Sequence, residues 1–451
     1  MQAYHRISPY VSLMIRRGET SCMNRIRTIE EAAETSGGRR EGPQSYYRKE
    51  SGIIVVSARG ASTHAVTFSC CEQLRRATSA CPTMLLVFGG GKHTPEVIVE
   101  TIAGVYPQSC VVGGACAGII VTEGSSCSGS EIGMVAFMSP EFAPRTHYVD
   151  LLAHGDLEAG HQLGRLVREQ HGSNAAVLVL YDSVLSFQPR RLHSAGLLLQ
   201  GFQTEWPGGM AAMGGGLLTD LNLTDGWMLL NGAVRRHAAL ALVFPESVTA
   251  DAIILRAARP ISSFMSVTDI DGAEIYTLDG RRALDVVEGH LDAPLTDTAG
   301  HPSRIMTLGL KLGEQWEDGT PDDYVNRLIV TADRDKGSIT LFEPDFYKGA
   351  LVQLMQNDPA MMLDMAHNRV TKATTCGDGA GQPFLRLYID CAGRASAMSG
   401  TLVEEADVVA AALPDDTPFL GFYSGVEIAP LCGRSRPLDW TGVLATYSVR
   451  G

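Results

Sequence analysis

The sequence predicts an α/β protein: duplicated α/β units in an N-terminal domain, followed by a second α/β domain. Three observations lead there. Continuous apolar runs such as Met84-Leu85-Leu86-Val87-Phe88 have the length and composition of strands buried on both faces. Longer stretches with an apolar stripe lie between them and read as crossover helices. One order of elements also occurs twice, at an offset of roughly 100 residues.

In chain order, residues 1–50 stand apart. They hold nine Arg or Lys against six acidic residues, whereas the remainder holds 28 against 44. Ser36-Gly37-Gly38-Arg39-Arg40-Glu41-Gly42-Pro43-Gln44 has linker chemistry, so this basic arm is expected to be mostly disordered. A targeting or interaction role and a start at Met23 are the alternatives. Ile53-Ile54-Val55-Val56-Ser57 reads as the first buried strand and Phe68 to Thr78 as a helix closed by Pro82. Met84–Phe88 is a strand running into Gly89-Gly90-Gly91. Thr94-Pro95-Glu96 opens a helix, since Thr suits an N-cap, Pro the first turn and Glu the positive helix end.

The repeat joins two blocks. The first runs from Met84–Phe88 through Val111-Val112-Gly113-Gly114 to Met134–Phe137. The second runs from Val177-Leu178-Val179-Leu180-Tyr181 through Met213-Gly214-Gly215-Gly216 to Ala239–Phe244. Each sets a glycine pair right after a strand, where the backbone can take positive φ and approach a neighbour closely. That neighbour is either a ligand or the partner strand. Beyond Phe244, strands are expected near Ile253–Leu255, Met265–Thr268, Ile275–Leu278, Ile305–Leu310, Leu328–Val330, Ser338–Phe342, Leu385–Ile389, Phe419–Tyr423 and Val443–Tyr447. Helices are expected from Ala283, over 348–365 and over 402–412, with 288–303 and 366–382 as irregular segments.

Composition narrows the function. With 37 Lys or Arg against 50 Asp or Glu the chain carries −13, which argues against nucleic acid as a partner. No run approaches the roughly 18 apolar residues of a membrane span, and Arg16 and Arg17 interrupt the first apolar stretch. Ten Cys with no Cys-x-x-Cys suggest reduced thiols and a cytoplasmic protein. Gly-x-Ser-x-Gly and His-Glu-x-x-His are absent, Gly91-Lys92 is followed by His93 where a P-loop has Ser or Thr, and Cys and His spacings do not suggest zinc. These absences do not exclude an enzyme, but no motif announces one, and neither an enzyme nor a cofactor is the expectation.

Several stretches together resemble the FIST family of paired FIST N-terminal and FIST C-terminal sensory domains. They are Leu85–Phe88 with Val112-Gly113-Gly114-Ala115-Cys116-Ala117-Gly118; Asp182 with Gly214-Gly215-Gly216, Arg259-Pro260 and Leu278-Asp279-Gly280; Asp390-Cys391-Ala392-Gly393-Arg394; and Phe419 to Pro430 with Thr441 to Tyr447. The resemblance implies a FIST N-terminal domain over 51–287 and a FIST C-terminal domain over 288–451. It implies a stand-alone sensor that binds a small molecule such as an amino acid and signals through a separate protein, for example a kinase. The family's usual His ahead of the last strand is Asp439 here.

The candidate ligand-binding residues are Gly113, Gly114, Asp182, Gly214, Gly215, Arg394 and Glu427. The glycine amides could face an anionic group, Arg394 could grip a carboxylate, and Glu427 could accept an ammonium or pair with Arg394. A haem-based nitric oxide sensor with His93 as axial ligand, an enzyme using Cys391, and a ligand-free scaffold are the alternatives.

Overall fold

The computed structural model describes residues 46–48, 52–172, 175–188, 190–206, 212–291, 294–295, 306–312, 320–376 and 381–450. The linker at 36–44 lies outside them, as does the expected disorder of the arm. Of that arm, Tyr46–Arg48 is described, as an edge strand paired with Ile53–Val55.

The repeated unit occurs three times. Its order is strand, helix, strand, helix, strand, hairpin, strand. In the first unit these are Ile53–Arg59, Thr63–Ala77, Met84–Gly90, Pro95–Val105, Cys110–Cys116, the hairpin Ile119–Ser126 and Glu131–Phe137. In the second they are Arg145–Asp150, Asp156–Gln170, Val177–Asp182, Ala195–Glu205, Met213–Leu217, the hairpin Met228–Arg235 and Ala238–Val243. In the third they are Val248–Leu255, Pro359–Cys376, Gln382–Cys391, Glu405–Ala412, Phe419–Ser424, the hairpin Glu427–Leu438 and Gly442–Val449. Between the first strand and first helix of the third unit, residues 258–357 are inserted. Their six longer strands pair in a closed antiparallel ring, because Leu351–Asn357 bonds both Met265–Asp271 and Met306–Lys311. A ring has no free edge to pair with another chain.

Each hairpin completes a neighbour's sheet. The first unit's hairpin pairs with Phe419–Ser424 of the third, the second's with Cys110–Cys116 of the first, and the third's with Met213–Leu217 of the second. The exchange is cyclic, so every sheet is finished only when all three units are present.

Alternation along the strands places the layers. Leu86 and Phe88 face the shared interior with Leu178, Leu180, Leu387 and Phe422, while Leu85 and Val87 face the first unit's helices with Ile98 and Ile102. Each apolar side chain so buried contributes roughly 1.5–3 kcal/mol. Rings meet across units: Phe88 stacks on Phe422 at 4.0 Å, and Phe244 on Tyr447 at 4.3 Å.

Two expectations fail between 348 and 382. Leu351–Asn357 is a strand, because Val352 and Leu354 alternate into the ring's core and pair with 306–310. The helix starts only at Pro359, after Asp358 accepts from the Ala360 and Met361 amides, and runs to Cys376 through the stretch expected to be irregular.

Candidate functional site

The three units share a register that ties sequence positions together. In each, the middle strand pairs with the next parallel strand at Phe88–Gly114, Leu180–Gly215 and Tyr388–Gly421. Two residues on, at the carboxyl end of the strand, lie Gly90, Asp182 and Asp390. Ligands in open α/β sheets bind at such ends.

Asp182 is fully engaged. Its Oδ1 accepts from the Val184 amide at 3.0 Å and its Oδ2 from the His237 amide at 2.7 Å. It is 1% exposed, and burial raises its pKa against these two bonds.

Asp390 differs. Both carboxylate oxygens are buried; Arg394 Nε forms a long ion pair with Oδ1 at 3.5 Å, and the Tyr388 hydroxyl is the other polar neighbour. Arg394 turns to Glu405 instead, donating from Nε at 2.8 Å and Nη2 at 2.5 Å, while Nη1 donates to the Trp440 carbonyl at 3.0 Å. Burial would lower the guanidinium's pKa, but the Glu405 and Asp390 carboxylates together outweigh it and raise it. Across the same enclosure Glu427 accepts from Ser424 Oγ at 2.6 Å and from the Thr441 amide at 3.4 Å. Three carboxylates therefore share the charge of Arg394, and all four groups are at most 1% exposed. Burial, and then the neighbouring acids, push Asp390 and Glu427 well above the usual carboxylate range.

Further buried polar atoms lie around this spot with few partners. Tyr388 Oη has only Asp390, Tyr181 Oη and Ser183 Oγ have only each other, and Trp440 Nε1 is buried without a hydrogen bond. Ser183 and Tyr181 flank Gly216 and the turn at Gly425, and Tyr388 Oη lies against Gly442, the strand partner of Asp390. Buried polar atoms are almost always satisfied, so a concentration of exceptions marks a place for water, an ion or a ligand.

The sequence-chosen residues divide. Gly215 pairs with Glu427 in the ladder, which brings two of them together. The glycines do not wall a cleft. A Cβ on Gly113 would stand 2.0 Å from the Val87 carbonyl oxygen, and one on Gly214 1.7 Å from that of Val179. On Gly114 it would meet the Trp227 carbonyl oxygen at 2.4 Å, and on Gly215 the Ile389 side chain at 2.8 Å. Gly113, Gly114 and Gly214 close on the backbone of adjacent strands in their own sheet and Gly215 on the Ile389 side chain of the third unit. Arg394 pairs with neither Glu427 nor open space, because Glu405 occupies its fork.

Two cavities, of about 900 and 520 Å³, lie away from the seam, the larger at the opposite end of the strands against Met84, Phe244 and Val449. Neither is lined by a sequence-chosen residue or by His93. His93 is 4% exposed with Nδ1 3.2 Å from Thr63 Oγ1. The Cys391 thiol is buried, and burial raises its pKa far from a reactive value. Asp390, Glu405 and Ser424 were missed as site residues. The available signal was Asp390 closing an apolar strand as Asp182 does, once the third unit is recognised.

The seam is wired to the inserted ring. Thr441 Oγ1 donates to the Asp439 carbonyl, and the Asp439 carboxylate takes the Leu328 amide at 2.8 Å with Arg327 Nη1 at 3.4 Å. Arg327 in turn grips Asp345 at 2.7 and 2.5 Å. Nearby, Glu343 docks the ring on the second unit, accepting from Ser194 Oγ at 2.6 Å and from the Ala195 and Gly196 amides at 2.9 and 3.1 Å at a helix start. Burial pushes Glu343 up to about 8, against the Arg327 charge and these donors. A raised folded-state pKa means that stability from this group is complete below the unfolded value of 4.5 and lost as pH climbs to about 8. Glu343→Gln is therefore expected to gain on the wild type in melting temperature as pH rises from about 5 to 8, read by calorimetry at matched ionic strength.

Comparison with known proteins follows the same outline. The FIST N domain model matches residues 83–281 and the FIST C domain model 283–430. Two uncharacterized proteins of Mycobacterium tuberculosis, from strains CDC 1551 / Oshkosh and ATCC 25618 / H37Rv, are each 24% identical over 379 residues, covering 81% of this chain and 91% of the relative. Among solved structures, T. maritima PurL complexed with ATP aligns with 97% of this chain and 81% of its own at 11% identity, with a TM-score of 0.20, too low to support any argument. Among the described residues no helix is long and apolar enough to cross a membrane. With both domain models matched in order along most of its length, the chain belongs to the FIST family.

Proposed function

We propose that this FIST protein is a cytoplasmic sensor that binds a small, amino-acid-like metabolite at the seam of its second and third units and signals through a separate protein such as a kinase. The observation that carries the reading is the enclosure around Asp390 and Glu427, where buried polar atoms have few partners. The seam is closed, so a ligand enters by parting it, and differential affinity for the parted form is what a sensor requires. The Asp439–Arg327–Asp345 link gives that motion a path to the inserted ring. The reading is of a binding protein and not an enzyme, consistent with the inert environment of Cys391.

A thermal-shift screen of amino acids and related metabolites tests it. A ligand at 100 times its Kd adds about 2.7 kcal/mol to apparent stability, so a true ligand raises the melting temperature steadily with the logarithm of its concentration above Kd. A folded sample that responds to nothing across a broad panel contradicts the proposal.

A further inference from the structure

We infer that the seam selects its ligand by a cationic amine and rejects carboxylates. This rests on the proposed sensing role and names the chemical class that role accepts.

The charge arrangement carries the inference. Asp390, Glu405 and Glu427 are enclosed with Arg394, and the Arg394 fork is closed by Glu405 and the Trp440 carbonyl. Glu405 is thereby matched, which leaves Asp390 and Glu427 short of positive charge: Arg394 Nε reaches Asp390 only at 3.5 Å, and burial favours the protonated form of both acids until a cation joins them. Ser424 joins them, its Oγ 2.6 Å from Glu427 Oε1 and 3.3 Å from the Asp390 carbonyl. A second feature is spare hydrogen-bonding capacity: the two Asp390 oxygens, on a side chain 1% exposed, have beside them only the Tyr388 hydroxyl and the 3.5 Å ion pair to Arg394.

An ammonium has three donors and one positive charge. It would satisfy Asp390, share Glu427 and relieve the repulsion between them. A ligand carboxylate would add a further negative charge to a low-dielectric enclosure and find its natural partner, Arg394, already occupied, and desolvated charges of like sign repel strongly. The amine is therefore the recognised group. Any carboxylate on the same ligand points away from the enclosure.

A matched series tests this on the full-length protein: putrescine, 1,4-butanediol and succinate, four-carbon chains ending in amines, hydroxyls and carboxylates, with potassium chloride as the inorganic cation. Putrescine is expected to raise the melting temperature in step with the logarithm of its concentration, while the diol, the acid and the salt at equal concentration do not. Asp390→Asn and Ser424→Ala, each checked for wild-type circular dichroism, are expected to weaken the putrescine response tenfold or more. Two variants are used so that a folding failure in one leaves the other to decide.

A response to succinate or the diol equal to that of putrescine overturns amine selection while leaving a sensor in place. An equal response to potassium chloride overturns it in favour of an inorganic ion. Silence toward this series, with a hit elsewhere in the metabolite panel, overturns amine selection alone, and silence toward everything removes the sensing role with it. A putrescine response that both variants retain places binding elsewhere and overturns the assignment to this seam.

Discussion

Replacing Arg394 by Met is expected to lower stability by roughly 3–5 kcal/mol, the range for stripping one partner from a buried ion pair. The guanidinium is 0% exposed and holds Glu405 through two bonds and the Trp440 carbonyl through a third. Without it, three enclosed acids face one another. They can respond by taking up protons, so the loss should be smaller near pH 5 than near pH 8. Urea denaturation at both values reads this directly. Arg394→Met combined with Glu405→Leu should recover much of the loss, since apolar replacement of a whole buried pair is often neutral. A loss under about 1 kcal/mol, the worth of an exposed pair, would mean that the pair is solvated.

The second large effect is at the glycines. Gly214→Ala should cost more than roughly 3 kcal/mol, because strained φ and overpacking each contribute on the order of 1–3. The new methyl would sit 1.7 Å from the Val179 carbonyl oxygen at a backbone φ of +155°. Gly113→Ala meets the Val87 carbonyl oxygen at 2.0 Å with φ +127° and should behave alike. Gly104, in the helix Pro95–Val105, has nothing within 4 Å of its Cβ position. Gly104→Ala should instead stabilise by about 0.5–1 kcal/mol. Opposite signs at these positions, read from denaturation midpoints, distinguish strand crossing from a general intolerance of glycine replacement.

The sequence made the strands legible because units buried on both faces need continuous apolar runs, and Met84–Gly90, Val177–Asp182 and Phe419–Ser424 lie where those runs fall. The duplication was legible for the same reason. The third copy was hidden because residues 258–357 separate its first strand from its first helix, so no constant offset survives. The hairpin exchange was not legible, since a short hairpin has no local sign of whose sheet it will join. At the site, Arg394 and Glu427 stood out as charges at strand ends, and both do reach the enclosure. Their partners did not stand out: Glu405 sits on a helix eleven residues further on, a relation that only the turn after Cys391 creates. A glycine pair in a strand looks the same whether the close neighbour is a ligand or a carbonyl, so spacing could not decide between them.

The most direct measurement is the melting temperature of Asp390→Asn without ligand, from pH 6 to 8.5. If Asp390 is a surplus buried acid awaiting a cation, the neutral amide relieves the repulsion with Glu427. The variant should then match or exceed the wild type, with its advantage growing as pH rises. A variant that melts well below the wild type across this range, with no trend in pH, would mean that Asp390 is already satisfied and that no cation belongs beside it.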